Sequence, residues 1–520
     1  MLARILGGAM KSAVIAGLAL ATAALGRVIV VPDSVATIQA GLNLAGNGDT
    51  VLVQPGIYNE NLVWPSVDGI KLLSSAGSAA TIVDGGLAGV CLTMGSGSFT
   101  RATEVRGFTF QKGHSASGGG AGISCAGSAT IAANRVTACR GVGVYLSSDS
   151  AGFSPLVAGN EIDACVKEVE SWNYGAGMYI TAQAGARPEI CYNYIHHDTL
   201  LNSARNYGGG IYCDADALIY QNVISENVLL SDTGSACRAY GAGIFVDTER
   251  KPVIFGNLII NNRCATDAWK YGAGIRLYSG AKPLIVGNTI AGNVCEGPHI
   301  WSNGGGIYSD MRCTSYVKNN IIANNQATSG SGIYNYTSSQ SGEVVSLHNS
   351  YYNNTLVGCA MGPGDITGDP LFAAGLRGGY YLSQTAAGQP QTSPCVDAGD
   401  TLEPAGGLNL DSLMHAWTTR TDSVYDLGVP DIGYHYPTGF PVGIFEAPRM
   451  AGGRATTRAT IVRGVLMLDV WTQRSGNRAE LLDAAGRRVL ELRPGANDLS
   501  RLAPGVYFAP KAGPRRVLKF

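Results

Sequence analysis

Charge is scarce in this sequence: 14% of its 520 residues are Asp, Glu, Lys or Arg, against 71 glycines. A helical bundle needs the reverse, a solvated face on each helix and few glycines inside it, so strands and turns are expected to dominate. Beyond residue 26 there is no long apolar run, which leaves no candidate membrane span there. None of the twelve cysteines is spaced as CxxC, so neither a zinc ribbon nor a thioredoxin-like motif is present. Positive clusters are missing from the body of the chain. Residues 447–520 hold 14 basic and 5 acidic side chains, leaving 23 and 33 for residues 1–446. An acidic body argues against nucleic acid as the main partner, since phosphate binding rests on clustered Lys and Arg. The basic tail reads as solvated surface charge.

Residues 1–26 begin with Arg4 and Lys11, continue through "AVIAGLALATAAL" and offer Ala21-Thr22-Ala23 as a small-residue cleavage site. That order is expected of a secretory signal peptide, outside the fold, and it predicts an exported, extracellular or cell-surface chain. In such a compartment disulfides are permitted but not specified. Cys264 and Cys295 fall at equivalent places in adjacent repeats, as do Cys139 and Cys165, so either pair is within reach of a bridge or of buried thiol stacking.

What the sequence does have is repetition. "AYGAGIFVDTERKPVIFGNLIINN" (239–262) returns as "KYGAGIRLYSGAKPLIVGNTIAGN" (270–293) and "SNGGGIYSDMRCTSYVKNNIIANN" (302–325). The apolar residue after the glycines recurs at Ile123, Val144, Met178, Ile211, Ile244, Ile275, Ile307 and Ile333, at intervals of 21, 34, 33, 33, 31, 32 and 26 residues. Asn134, Asn160, Asn193, Asn222, Asn257, Asn288, Asn320 and Asn349 keep step with it, and from Asn222 onward a second asparagine follows five residues later, at Asn227, Asn262, Asn293, Asn325 and Asn354. A unit of short strands and turns cannot bury its apolar face alone and must stack on its neighbours, which predicts a solenoid. Asn at one turn of each coil predicts a ladder of side-chain amides, and Asn tolerates the left-handed conformation such turns use.

The segment "VPDSVATIQAGLNLAGNGDTVLVQPGIYNENL" (31–62), followed by the ladder, resembles the right-handed parallel β-helix of the pectin-lyase-like superfamily. The resemblance covers roughly residues 28–437. It implies an all-β chain whose domain 27–440 is a right-handed parallel β-helix, with "SVATIQAGLNLAG" as a helix capping its N-terminal end. Residues 366–437 resemble the closing segment of bacterial surface β-helix proteins, which Cys359 and Cys395 could tie down. From about 445 the strands become short and alternating, as in a small β-sandwich. "LLDAAGRRVL", "LSRLAPGVYF" and the ending "RRVLKF" make domain 445–520 similar to C-terminal sorting domains of type IX secretion cargo. That similarity implies outer-membrane secretion machinery as a partner.

Alternation along each "GxGI" strand places Tyr179, Tyr212, Phe245, Arg276, Tyr308 and Tyr334 away from the solenoid core. Tyr174, Tyr207, Tyr240, Tyr271 and Asn303 precede them. Loops over 163–174, 198–207, 228–240, 263–271 and 294–303, carrying Trp172, Arg205, Trp269, His299 and Trp301, are expected to rise beside this stripe. Tyr179, Tyr212, Phe245, Arg276, Tyr308, Trp269 and Trp301 are the candidate substrate-binding residues, because flat aromatic faces suit sugar C–H surfaces. A purely structural stacking ladder is the alternative. Asp214 and Asp247, one coil apart, are candidate catalytic residues and candidate Ca2+ ligands, since carboxylates about 5 Å apart must bind a cation, share a proton or splay apart. Asp216, Glu249, Arg250 and Arg312 lie near them in sequence, and turn chemistry is their other reading. No polygalacturonase-like "NTD…DD…GHG…RIK" set is present, so the resemblance does not extend to pectin hydrolysis. His196-His197-Asp198 reads as a solvated turn, because adjacent side chains diverge on a strand. The resulting expectation is a monomeric, exported β-helix protein that recognises a polysaccharide or cell-surface glycan, with cleavage at Asp214 and Asp247 as an added activity. A non-enzymatic adhesin or structural surface protein is the alternative.

Overall fold

The computed structural model describes residues 26–438 apart from 96–98, 117–118, 169–171, 202–203, 232–236, 267, 297–300 and 339–341, together with seven strands between 459 and 519. The expected signal peptide, but for Gly26, and His299 lie outside the described residues. Contacts divide the chain into Met1–Arg449 and Met450–Phe520.

The first unit is the expected parallel solenoid. Three long sheets run along it: sheet I has 12 strands, from Val28–Val31 to Glu343–Leu347; sheet II has 12, from Gly56–Tyr58 to Ile366–Thr367; sheet III has 11, from Leu62–Val63 to Leu356–Val357. Each strand pairs in parallel with its counterpart one coil away, so equivalent residues stack. Ile211, Ile244, Ile275, Ile307 and Ile333 are in register in sheet III and fully buried. Ile219, Ile254 and Ile285 of sheet I and Ile224, Ile259 and Ile290 of sheet II meet them inside the coil. Each such isoleucine stabilises the stack by roughly 1.5–3 kcal/mol, and β-branched side chains fit these strands.

The repeated glycines have two distinct duties. Gly272 has φ +65°, the left-handed turn that feeds the sheet III strand, and a Cβ on Gly274 would stand 2.5 Å from the Gly306 carbonyl of the next coil. A side chain at the second position would push the coils apart.

The asparagine ladder is continuous. Asn257 Oδ1 accepts from the backbone N (2.9 Å) and Nδ2 (3.0 Å) of Asn222, while its own Nδ2 donates to Ile219 O (2.8 Å) and to Asn288 Oδ1 (3.0 Å). Asn193, Asn222, Asn288, Asn320 and Asn349 are likewise fully buried. One detail differs from expectation. The left-handed residue is the one before the ladder asparagine, such as Tyr192, Gln221, Gly256 or Gly287. The turn there aims the following side chain inward, and the amide is selected for its hydrogen bonds rather than for its φ.

Helix Ile38–Leu44 covers the N-terminal end as expected. Thr37 caps it by accepting from Ala40 N (3.1 Å), and Glu60 accepts from Ile38 N and Gln39 N, both at 2.9 Å, so a carboxylate faces the helix start. The closing segment starts as the last strand of sheet II, Ile366–Thr367, and then leaves the far end. It runs along the flank, where Tyr380, Tyr381, Ile432, Tyr434 and Tyr436 pack on Val223, Leu258, Ile260 and Ile321, and Leu402, Leu410, Met414 and Trp417 pack on Leu218, Val253, Phe255 and Val286. Cys359 and Cys395 are free thiols, so packing and not a bridge holds it there.

The expected loops 163–174 to 294–303 contain strands. Five coils each insert two, building sheet IV (from Val166–Glu168 to Val294–Glu296) and sheet V (from Trp172–Tyr174 to Ser302–Asn303). Their inner side chains, including Leu200, Leu229, Ala239, Cys264 and Cys295, form a separate buried cluster. Cys264 and Cys295 are register partners and free thiols, which is the stacking reading. Cys139 and Cys165 are also free and buried.

In the second unit five strands form one sheet and Val465–Leu468 pairs antiparallel with Gly495–Asp498 in another. Among the described residues no helix is long and apolar enough to cross a membrane.

Candidate functional site

Sheet V folds over the outward face of sheet III, and this changes what the aromatic stripe can do. Tyr179, Tyr212, Phe245, Arg276, Tyr308 and Tyr334 point away from the core and are in register. However, Tyr212, Phe245, Arg276 and Tyr308 are buried, with Phe245 1% exposed and Arg276 3% exposed. Their expected role as a solvent-facing binding stripe is therefore corrected. The sheet V column Tyr174, Tyr207, Tyr240 and Tyr271 packs onto them: ring centroids lie 4.8 Å apart for Tyr174–Tyr212, 5.1 Å for Tyr207–Phe245 and 4.6 Å for Tyr271–Tyr308. The two columns interlock as a zipper, and each pair contributes about 0.5–1.5 kcal/mol beyond its buried area.

Arg276 sits inside this zipper. Its guanidinium carbon lies 4.1 Å from the Tyr308 ring centroid and 5.3 and 5.4 Å from those of Tyr240 and Tyr271, and its Nη2 donates to Asp310 at 2.6 Å. A buried cation is retained here because a carboxylate and three ring faces replace water.

Beyond the zipper, at the ends of the sheet III strands, the acidic residues are already engaged. Asp214 accepts from Arg250 Nε (2.6 Å) and Thr181 Oγ1 (3.1 Å). Asp247 accepts from the Tyr212 hydroxyl and from Thr248 N at 2.6 Å. Asp216 accepts from Lys251 N of the next coil at 2.7 Å, and Asp310 from the adjacent Met311 N at 2.9 Å, the local bonding habit of turn aspartates. Burial raises the Asp214 carboxyl above its usual range against the pull of Arg250, with the charge of Asp247 adding to the rise. Burial beside Asp247 raises the Tyr212 phenol far above its own.

Among the described residues, two groups of three bring carboxylate or imidazole atoms within 4.8 Å of one another: Glu161, Asp163 and His196, and Asp397, Asp426 and Asp431. Neither includes Asp214 or Asp247. In the first, Arg135 already binds Asp163 through two contacts of 2.9 Å; in the second, Asp426 bonds His435 at 2.7 Å. The His196-His197-Asp198 stretch is not simply a solvated turn. His196 is half-buried, His197 is exposed at φ +56°, and Asp198 is fully buried five residues after Asn193, in the place an asparagine takes in later coils. Two open clefts, of about 940 Å³ by Phe99, Arg101 and Ser147 and about 540 Å³ by His114, Arg140 and Glu168, lie apart from Asp214 and Asp247.

One row on sheet V carries exposed indoles. Trp172, Arg205, Arg238 and Trp269 are register partners at the first position of the sheet V strands, and Trp301 follows with its ring 6.2 Å from that of Trp269. Trp172 is 51% exposed and Trp301 46%. The Arg205 guanidinium lies 4.7 Å from the Trp172 ring and that of Arg238 4.6 Å from Trp269. The row was legible: each member stands two residues before Tyr174, Tyr207, Tyr240, Tyr271 or Asn303, hence on the same side of one strand. Reading those stretches as loops hid it. Sequence reading had singled out Trp269 and Trp301 but left Arg238 unmentioned.

Residues 40–305, just over half of the chain, match the family described as "Right handed beta helix region". No curated protein matches the chain.

Proposed function

The chain belongs to the right-handed β-helix family, and from that premise we propose that it is an exported or cell-surface protein that recognises polysaccharide through the exposed edge of the sheet V face whose tyrosine column packs on sheet III. The supporting observation is the exposed indole row, Trp172 and Trp301 with Trp269 beside them. Single exposed apolar residues need no explanation, but indoles in register along a rigid sheet form a platform on which pyranose rings can stack. The sheet III stripe serves as the packed foundation of that platform. Export is assigned to residues 1–26, sorting through outer-membrane secretion machinery to the 445–520 domain, and the solenoid acts as a monomer.

The test is binding of the full chain to immobilised polysaccharides. Trp172→Ala combined with Trp301→Ala should weaken retention about tenfold or more, while Tyr425→Ala, an equally exposed aromatic on the closing segment, should not. Equal retention by all three proteins, or none by the wild type, would count against this reading and favour a stiff structural rod.

Cleavage is the second reading, favoured by Tyr212 donating to Asp247 next to an Asp214 carboxyl that burial raises. Such a set suits acid–base work on a sugar held nearby. Reducing-end release and the ultraviolet absorbance of unsaturated product, measured with and without Ca2+, test it. Signal that disappears in Asp214→Asn and Asp247→Ala establishes catalysis, and silence on every polysaccharide bound removes it.

A further inference from the structure

The row on sheet V is not purely aromatic, and its charge narrows what it binds. Its order along the solenoid axis is Trp172, Arg205, Arg238, Trp269 and Trp301, one residue per coil, so successive members are about 4.8 Å apart by strand spacing. That step is close to the advance of an extended sugar chain per residue, so a polysaccharide laid along the axis meets the row nearly residue for residue. Two adjacent guanidiniums stand between indoles, each stacked on one of them. Stacking holds a guanidinium flat and keeps its charge, the arrangement suited to planar oxyanions.

The acidic residues at the ends of the sheet IV strands are distributed to match. On sheet IV the last strand position, a few residues before each row member in sequence, reads Glu168, Leu201, Leu230, Ala265 and Glu296. Carboxylates therefore occur in the first and last coils, and Glu296 is paired with Arg263 at 3.0 Å. The coils that carry Arg205 and Arg238 have leucine there. On a body with more acidic than basic residues, a locally cationic strip confined to the middle coils is a departure that solubility does not require.

Resting on the polysaccharide reading above, we propose that the Trp172–Arg205–Arg238–Trp269–Trp301 row is a binding site for a linear polyanionic glycan, carboxylated or sulfated, aligned with the solenoid axis. The indoles stack on sugar faces, and the arginines engage acidic groups on the two central residues. The site lies on the inserted strands, beside the tyrosine column that packs on sheet III, and not at Asp214 and Asp247.

The experiment compares the full chain on dextran and dextran sulfate, which share a backbone, and on polygalacturonate, at low and at physiological salt. Wild type should retain dextran sulfate, polygalacturonate or both at least about tenfold more tightly than dextran, with retention falling as salt rises. Retention of one polyanion alone supports the proposal and identifies the anion. Arg205→Gln with Arg238→Gln should lower retention of the polyanions to the level of dextran; Arg205→Lys with Arg238→Lys should restore part of the preference and controls for misfolding, as does a thermal melt of each variant. Equal binding of dextran and dextran sulfate, unmoved by the arginine changes, overturns the proposal but leaves polysaccharide recognition standing. Failure to bind any of the three overturns both.

Discussion

Two ladders run side by side through this solenoid, five residues apart in every coil, and they are built to different standards. In the first, Asn134 to Asn349, every rung is an asparagine, and Asp365 closes it by accepting from Asn349 N at 2.7 Å. In the second, the rungs from Asn227 to Asn354 are asparagines, but the three coils before them supply Cys139, Cys165 and Asp198. Asp198 Oδ1 does what an asparagine carbonyl would do, accepting from Cys165 N at 2.9 Å. Its Oδ2 is buried with no partner. At that place Asn227 donates from Nδ2 to Ile195 O at 3.1 Å. An amide has both a donor and an acceptor, whereas an ionised carboxylate only accepts, so burial pushes the Asp198 carboxyl well above its usual range. The difference shows that the second ladder tolerates a thiol or a carboxyl where the first holds only asparagine.

Breaking the intact ladder should have the largest effect. Asn257→Ala leaves the buried backbone N of Asn222 without its acceptor, takes one bond from Asn222 Nδ2 and removes the donation to Ile219 O and Asn288 Oδ1, and the full chain is expected to lose about 3 kcal/mol or more of stability in urea denaturation. A loss below about 1 kcal/mol would mean that the ladder is not a stabilising device. Repairing the faulty rung should come next. Asp198→Asn is expected to stabilise by about 1–3 kcal/mol at neutral pH, because it supplies the missing donor. It also carries a pH signature. Folded Asp198 keeps its proton at pH values where the unfolded chain, with an ordinary aspartate value near about 4, has already lost it, so wild-type stability falls as pH rises from the unfolded value toward the folded one. The variant should lack that slope, and identical slopes in the two proteins would contradict the assignment. The smallest effect is expected from Cys165→Asn, which extends the ladder by one rung into the thiol coils. A change within about 1 kcal/mol, toward greater stability, should appear as a small rise in the denaturation midpoint. A marked loss would show that the thiols are there for their packing.

The same contrast explains what could be read in advance. Asn193, Asn222, Asn257, Asn288, Asn320 and Asn349 repeat without exception, and one residue type at one period has a single physical explanation, so the solenoid and its ladder were legible. Asp198 was not, because its neighbours His196 and His197 suggested a polar turn and only the register shows it filling an asparagine's place. The stripe was legible in direction and not in exposure: alternation says that Phe245 leaves the core, but whether water or Tyr207 meets it depends on the inserted strands. Those strands are three residues long or shorter, too short for periodicity to declare them, and they decide which aromatics a ligand can reach.

The closing segment has a consequence under tension. A bare solenoid can be pulled apart one coil at a time, because each coil holds only its neighbours. Here the segment runs back along the flank and fastens to several coils at once: His435 O accepts from Gln221 Nε2 at 3.0 Å, Tyr434 N donates to Thr289 Oγ1 at 3.0 Å, and Lys318 grips Asp400 at 2.7 Å. A force that peels the last coils must also shear this strap from the coils behind them, so the rod yields as a block rather than turn by turn.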